Sequence, residues 1–115
     1  MNEKIEALKT AIEYIDNLKN GIETLVGNIN QGDYKSGVTV IPEIVDGIDW
    51  LVQLINLTSD LHKGKLCIGN INENLEQIIE AIDNEDYTLV GDLFNYEVLP
   101  ILEDIQINAA EIAGN

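Results

Sequence analysis

His62 and Cys67 are the chain's sole imidazole and sole thiol, the side-chain types that most often hold metals or act as nucleophiles near neutral pH. A zinc site needs several such groups together, and a carboxylate-bound metal pair in a helical protein needs Glu-x-x-His on facing helices. The residue three before His62 is Ser59, and Cys67 has no second cysteine, so neither a metal centre nor an internal disulfide is expected. No glycine-rich phosphate loop and no Ser/His/Asp spacing accompanies them. Glu97 is the remaining candidate. Its place on the helical wheel falls in a core-facing stripe, where a buried carboxylate is a candidate functional acid. No second acid-base group adjoins it in sequence, so it is expected to be a boundary residue whose head reaches water or a tyrosine hydroxyl. The chain is therefore read as non-enzymatic, with no catalytic residue, no metal and no cofactor.

Charge narrows the partners. In 115 residues there are 21 acids against 6 lysines and no arginine, a formal net charge of −15. Lys4, Lys9, Lys19, Lys35, Lys63 and Lys65 all lie in the first 65 residues, and the rest of the chain carries no base. Nucleic-acid binding needs clustered cations to displace counterions, so nucleic acid is not an expected partner. An anionic membrane surface would repel the same charge. No apolar run approaches the roughly 20 residues of a bilayer span. The start, MNEKIEALK, sets acids and lysines at helical spacing and reads as no secretory signal. A cytoplasmic location is expected, and the charge has its use in solubility or in attracting a basic partner.

These residues must be positioned by helices. Ile5, Leu8, Ile12, Ile15, Leu18, Ile22, Leu25 and Ile29 recur at steps of three and four, which is a helical seam. Ile68, Ile71, Leu75, Ile78 and Ile82 repeat those steps. Helices are expected over roughly 2–30, 34–57, 66–84 and 87–112, with a break around 57–66 where Thr58, Ser59 and Gly64 supply turn and capping chemistry. A single domain over 1–115 follows, since this length closes one modest core. The fold class expected is an all-α, up-down four-helix bundle.

Sliding the sequence on itself by 53 residues aligns its two halves. Ile15, Leu18, Ile22, Leu25, Val26 and Ile29 fall on Ile68, Ile71, Leu75, Ile78, Ile79 and Ile82, while Asn17, Glu23, Asp33 and Tyr34 fall on Asn70, Glu76, Asp86 and Tyr87. Beyond the turn, Ile41, Val45, Ile48 and Val52 meet Phe94, Val98, Ile101 and Ile105. We read a duplicated helical hairpin, covering about 2–57 and 60–113, with turns centred near Gln31 and Asn84. Asp33 and Asp86 each follow a short polar turn and precede a periodic stretch, so each is an expected N-cap. Tyr34 and Tyr87 are expected to cover the ends of their hairpins with the hydroxyl left wet. The stretch Gly37-Val-Thr-Val-Ile-Pro42 taken alone suggests a strand, but the repeat assigns it to a helix. Pro42 and Pro100 then lie inside helices and should bend both.

The segment from Glu85-Asp86-Tyr87 through Asp92 and Tyr96-Glu97 to Pro100 resembles a pattern in small uncharacterised helical proteins of clostridia and related bacteria. The resemblance implies a bacterial source and assigns no activity. A lone histidine in an acidic four-helix bundle also invites comparison with histidine phosphotransfer domains, in which Lys and Gly follow the histidine by three and four residues. Here Lys63 and Gly64 follow His62 directly, two residues too early to share its face. His62 is expected to be a solvated residue of a loop or a helix end.

The second helix has too many apolar residues for one seam. At about 100° per residue, Ile41, Ile44, Val45, Ile48, Leu51, Val52 and Ile55 face the core, while Trp50, Leu54 and Leu57 gather on the opposite side. Their counterparts in the second half are Glu103, Ile107 and Ala110, so the repeat itself does not require the second stripe. Trp50, Leu54 and Leu57 either lie beneath a neighbouring segment or form a surface for a partner protein or a second copy of the chain. The functional class expected is a protein–protein interaction module, chaperone-like or adaptor in kind; the alternatives are a phosphotransfer protein using His62 and a structural protein.

Overall fold

A computed structural model describes residues 2–114. All regular structure in them is helical, with no strand among the described residues. The elements are α1 (Asn2–Asn30), α2 (Tyr34–Thr39), α3 (Ile41–Leu57), α4 (Ser59–His62), α5 (Ile71–Asp83), α6 (Tyr87–Leu93), a π-helical turn (Phe94–Val98) and α7 (Leu99–Ile112). They pack into a rod of 46 × 22 × 19 Å. The long α1 is its spine: α2 and α3 lie along one side of it and α6, the π turn and α7 along another, while α5 packs against α6 and the π turn.

The seam read from the sequence is the buried one. Leu8, Ile15, Ile22 and Leu25 of α1 are fully enclosed, joined by Ile48 and Leu51 of α3, Ile71 and Ile78 of α5, and Phe94, Val98, Leu102 and Ile105. Each such side chain stabilises the fold by about 1.5–3 kcal/mol relative to exposure. A polar bridge fixes the register of α1 against α7. Gln106 donates from Nε2 to the Ile12 carbonyl at 2.9 Å and to Asp16 Oδ1 at 2.7 Å, and Lys19 Nζ donates to Gln106 Oε1 at 3.2 Å.

Both hairpin turns are built alike. Asp33 Oδ1 accepts from Ser36 N and Asp86 Oδ1 from Leu89 N, each at 3.2 Å, so both expected N-caps are in place. Behind them, Asp33 N donates to the Asn28 carbonyl and Asp86 N to the Ala81 carbonyl, each at 2.8 Å. Gly32 N and Glu85 N reach the Ile29 and Ile82 carbonyls, each at 3.0 Å. This is the Schellman pattern, which ends a helix on a left-handed residue. Gly32 takes that conformation with φ +84°; Glu85 takes it with φ +55°, without the glycine that would ease it. Tyr34 and Tyr87, at the starts of the helices that follow the two turns, stack on one another, centroids 4.7 Å apart and planes 16° apart.

The expected second helix is interrupted. Val40 separates α2 from α3 and Pro42 stands in the first turn of α3, where its missing N–H costs nothing. Val38 and Thr39 are helical, and no strand forms there. The expected helix over 66–84 begins only at Ile71, because Gly69, at φ +60°, breaks the path. The expected break at 57–66 contains the short α4, and it is closed by Lys63 and Gly64, both with positive φ. Thr58, one of the residues expected to supply turn and capping chemistry there, donates its hydroxyl back to the Leu54 carbonyl at 2.8 Å.

The last helix is continuous but carries the π turn at Phe94–Val98. Pro100 follows it, with no N–H to offer the Tyr96 carbonyl and a ring that would collide with that carbonyl in a regular helix. The widened turn, in which Leu99 N reaches back to the Phe94 carbonyl, accommodates both defects. It also holds one residue more than an α turn. Ile41 and Phe94, both buried, keep the spacing of 53. The later buried positions pair as Ile44 with Val98, Ile48 with Leu102, Leu51 with Ile105 and Ile55 with Ala109, a spacing of 54. The pairings expected at 53 with Val45, Ile48 and Val52 are each off by that residue. Glu97, placed on the core stripe by a regular wheel, is turned out and exposed.

Candidate functional site

Trp50 rises from α3 with 39% of its surface open, its ring edge-on to Tyr14 of α1 at a centroid distance of 5.1 Å and 73° between planes. Such T-shaped pairs are favoured by the ring quadrupoles and add about 0.5–1.5 kcal/mol beyond burial. Gly47 lies one turn before Trp50, and a Cβ there would stand 2.5 Å from the Tyr14 hydroxyl and 2.8 Å from Leu18 Cδ2. The absence of a side chain at 47 therefore lets Tyr14 lie across α3. The expected stripe of Trp50, Leu54 and Leu57 divides. Leu57 is 74% exposed and Trp50 half-open, whereas Leu54 is buried at 8%, turned into the seam with α1 where Ala7 shares its groove.

Two depressions flank Trp50. One, of about 350 Å³, is bounded by Ala7, Gln53, Leu54 and Leu57, with Glu3 and Lys4 at its edge. The other, of about 460 Å³, is bounded by Thr10, Tyr14, Glu43, Asp46, Gly47 and Trp50. A third, of about 270 Å³, continues past Tyr14 along Asn17, Gly21, Val40 and Ile44. Together they trace a groove along the α1–α3 seam. Lys4 is already engaged: its ammonium donates to both Asp60 carboxylate oxygens at 2.9 and 3.0 Å. That hydrogen-bonded cation holds the Asp60 carboxyl below its usual range. Among the described residues, no lysine lies within ion-pair distance of Glu43 or Asp46.

Tyr14, Glu43 and Asp46 were not singled out by the sequence. The signal for the two acids was present: Glu43, Asp46 and Trp50 are spaced by three and four, which sets them on one face of α3. Tyr14 had no such signal, because it stands one position off the α1 seam and its partner comes from another helix.

His62 corrects the expectation of a solvated residue. It is 5% exposed, its Nε2 is 2.9 Å from the Ile55 carbonyl, and its Nδ1 faces the Gly64 and Leu66 amides at 3.2 and 3.4 Å. Since those amides can only donate, Nδ1 accepts and Nε2 carries the proton. The ring ties the end of α3 to the loop after α4. Neither nitrogen is free for a phosphoryl group. Cys67 is exposed and unpaired. No group of three or more His, Cys, Asp or Glu among the described residues is placed to hold a metal ion. No helix among them is long and apolar enough to cross a membrane.

The arrangement defines an all-helical protein with an aromatic-centred groove on its surface. The chain belongs to the family described as "Domain of unknown function (DUF8042)", whose model matches residues 6–108. No curated protein and no solved structure matches the chain.

Proposed function

We propose that the protein is a non-enzymatic interaction module, a four-helix bundle of two duplicated hairpins that docks a partner protein on the α1–α3 face around Trp50. The observation that carries the reading is that face. Tryptophan is over-represented among interface anchors, and Trp50 and Leu57 stand open beside a groove whose floor is apolar. The duplication is supported by the two turns, whose capping and Schellman hydrogen bonds correspond at a spacing of 53. A bacterial cytoplasm, in clostridia or their relatives, is the setting we infer. A second copy is the less favoured occupant, since two chains of charge −15 repel. The phosphotransfer alternative is disfavoured by the engaged ring of His62.

The test is affinity capture with wild type, Trp50→Ala and Leu57→Asp, each checked by circular dichroism and by sedimentation at several concentrations. The expected result is one bound protein, reconstituted afterwards from purified components, that both variants lose while remaining folded and monomeric. Equal binding by wild type and Leu57→Asp would remove the face from the reading. Loss of fold in Leu57→Asp would assign the residue to the core instead.

A further inference from the structure

We propose that the cup between Tyr14 and Trp50 receives an arginine guanidinium carried by a basic amphipathic helix of the partner, an inference that rests on the docking reading above. Two aromatic rings at a steep angle and two carboxylates from one helix face bound the same depression of about 460 Å³. Ring faces attract cations through their quadrupole. Carboxylates accept the paired N–H groups of a guanidinium in a fixed planar geometry that an ammonium does not offer. Glu43 and Asp46 are exposed and have no lysine within ion-pair distance among the described residues, so an incoming cation displaces no internal partner. Gly47 seats the Tyr14 ring against α3, since any side chain there would meet the Tyr14 hydroxyl, and so holds the ring at the wall of the cup.

The occupant is a helix because the groove extends from the cup in both directions. Leu54, Leu57 and Ala7 lie on one side, and Leu18, Val40 and Ile44 on the other. α3 has 17 residues, about 25 Å at 1.5 Å per residue, long enough to seat apolar anchors at i, i+4 and i+7 around a central basic residue. A second copy of this chain cannot supply the group, for the sequence contains no arginine.

Trp50 is the chain's only tryptophan, so its fluorescence reports the cup directly. Three synthetic amphipathic peptides without tryptophan are titrated at low salt. They share one leucine stripe and differ in carrying Arg, Lys or Gln at the polar positions. The Arg peptide should bind about tenfold more tightly than the Gln peptide, with the gap narrowing as salt screens it. It should also bind more tightly than the Lys peptide. The double variant Glu43→Gln with Asp46→Asn should lose that advantage while binding the Gln peptide as wild type does. Leu57→Asp should weaken all three. Equal binding of the Arg and Gln peptides, with both lost in Leu57→Asp, would overturn the guanidinium cup and leave the docking face standing. Equal binding of Arg and Lys peptides would overturn the planar recognition. Arginine amide binding as tightly as the peptide would make this a small-cation site and overturn the helical partner. Binding of no peptide would overturn the inference, whereas the capture experiment above decides the docking face on its own.

Discussion

Gly37 and Gly91 occupy neighbouring places in the two hairpins yet have opposite surroundings. A Cβ on Gly37 would sit 3.0 Å from Ile29 Cγ1 and 3.3 Å from the Leu25 carbonyl oxygen. That oxygen belongs to the backbone of α1, near its C-terminal end, and cannot yield as a side chain can. On Gly91 the nearest atom, Ile29 Cγ2, is 3.6 Å away, an ordinary contact. Alanine gains about 0.8–1.0 kcal/mol over glycine inside a helix, while crowding a packed contact costs about 1–3 kcal/mol. Gly91→Ala should therefore raise stability by something under about 1 kcal/mol. Gly37→Ala should lower it by about 1 kcal/mol; urea melts of the pair measure the contrast. Removing either cap, Asp33→Ala or Asp86→Ala, should cost about 1 kcal/mol, and no loss at either would mean that the caps contribute nothing to the turns. These caps were legible in the sequence because an N-cap is a local event, decided by a carboxylate and an amide three residues on. The burial of His62 was not, since its partners are a carbonyl seven residues back in α3 and amides beyond a left-handed turn. The Tyr14–Trp50 pair joins two helices, and spacing within either one carries no trace of it.

The helices themselves were legible from periodicity, and their interruptions were not. Seams at steps of three and four report which face is buried, not whether the backbone is unbroken, so the separation at Val40 and the late start of α5 went unseen. The π turn is the clearest instance, because a wheel drawn through Phe94–Val98 assumes the regular pitch that this turn abandons. It also yields a sharp prediction. Deleting one residue from a helix rotates everything beyond it by about 100°, which normally turns the core face outward. Deleting Glu97, exposed and within the turn, removes the surplus residue and leaves Val98, Leu102, Ile105 and Ala109 facing inward. The variant should fold with a loss of about 3 kcal/mol, the strain of Pro100 in a regular turn. Deleting Glu13, exposed on α1, should abolish the cooperative melt, because it rotates one part of the seam against the other. Equal damage from the two deletions would show that the wide turn is no insertion.

At the scale of the whole molecule the net charge of −15 works against the compact state by self-repulsion. Only Lys4, Lys9 and Lys19 form ion pairs among the described residues, all substantially exposed at the acid, and exposed pairs contribute little. Added sodium chloride, by shortening the screening length from about 10 Å at 0.1 M to about 3 Å at 1 M, should therefore raise the melting temperature; a fall would mean that those pairs outweigh the repulsion. Asp60 runs the other way on a small scale. Its carboxyl is held low by Lys4, so the tie between α1 and α4 is present above the unfolded carboxylate range and is lost as pH falls through the folded value. In Lys4→Met, Asp60 should titrate at higher pH by side-chain carboxyl NMR. The rod's proportions and its pairing of α1 with α7 were not legible, since nothing in one strip of sequence says which seam meets which. The Tyr34–Tyr87 stack joins the starts of α2 and α6, and on the duplicated reading it says something about descent. A residue that touches its own counterpart marks a symmetry axis, and in an ancestor made of two separate identical hairpins a single codon would have governed both sides of that contact. Fusion into one gene would have ended that coupling. Each half could then change alone, and on that reading the glycine at 32 where the other turn has a glutamate at 85, and the extra residue in one long helix but not the other, are the differences such freedom would leave behind.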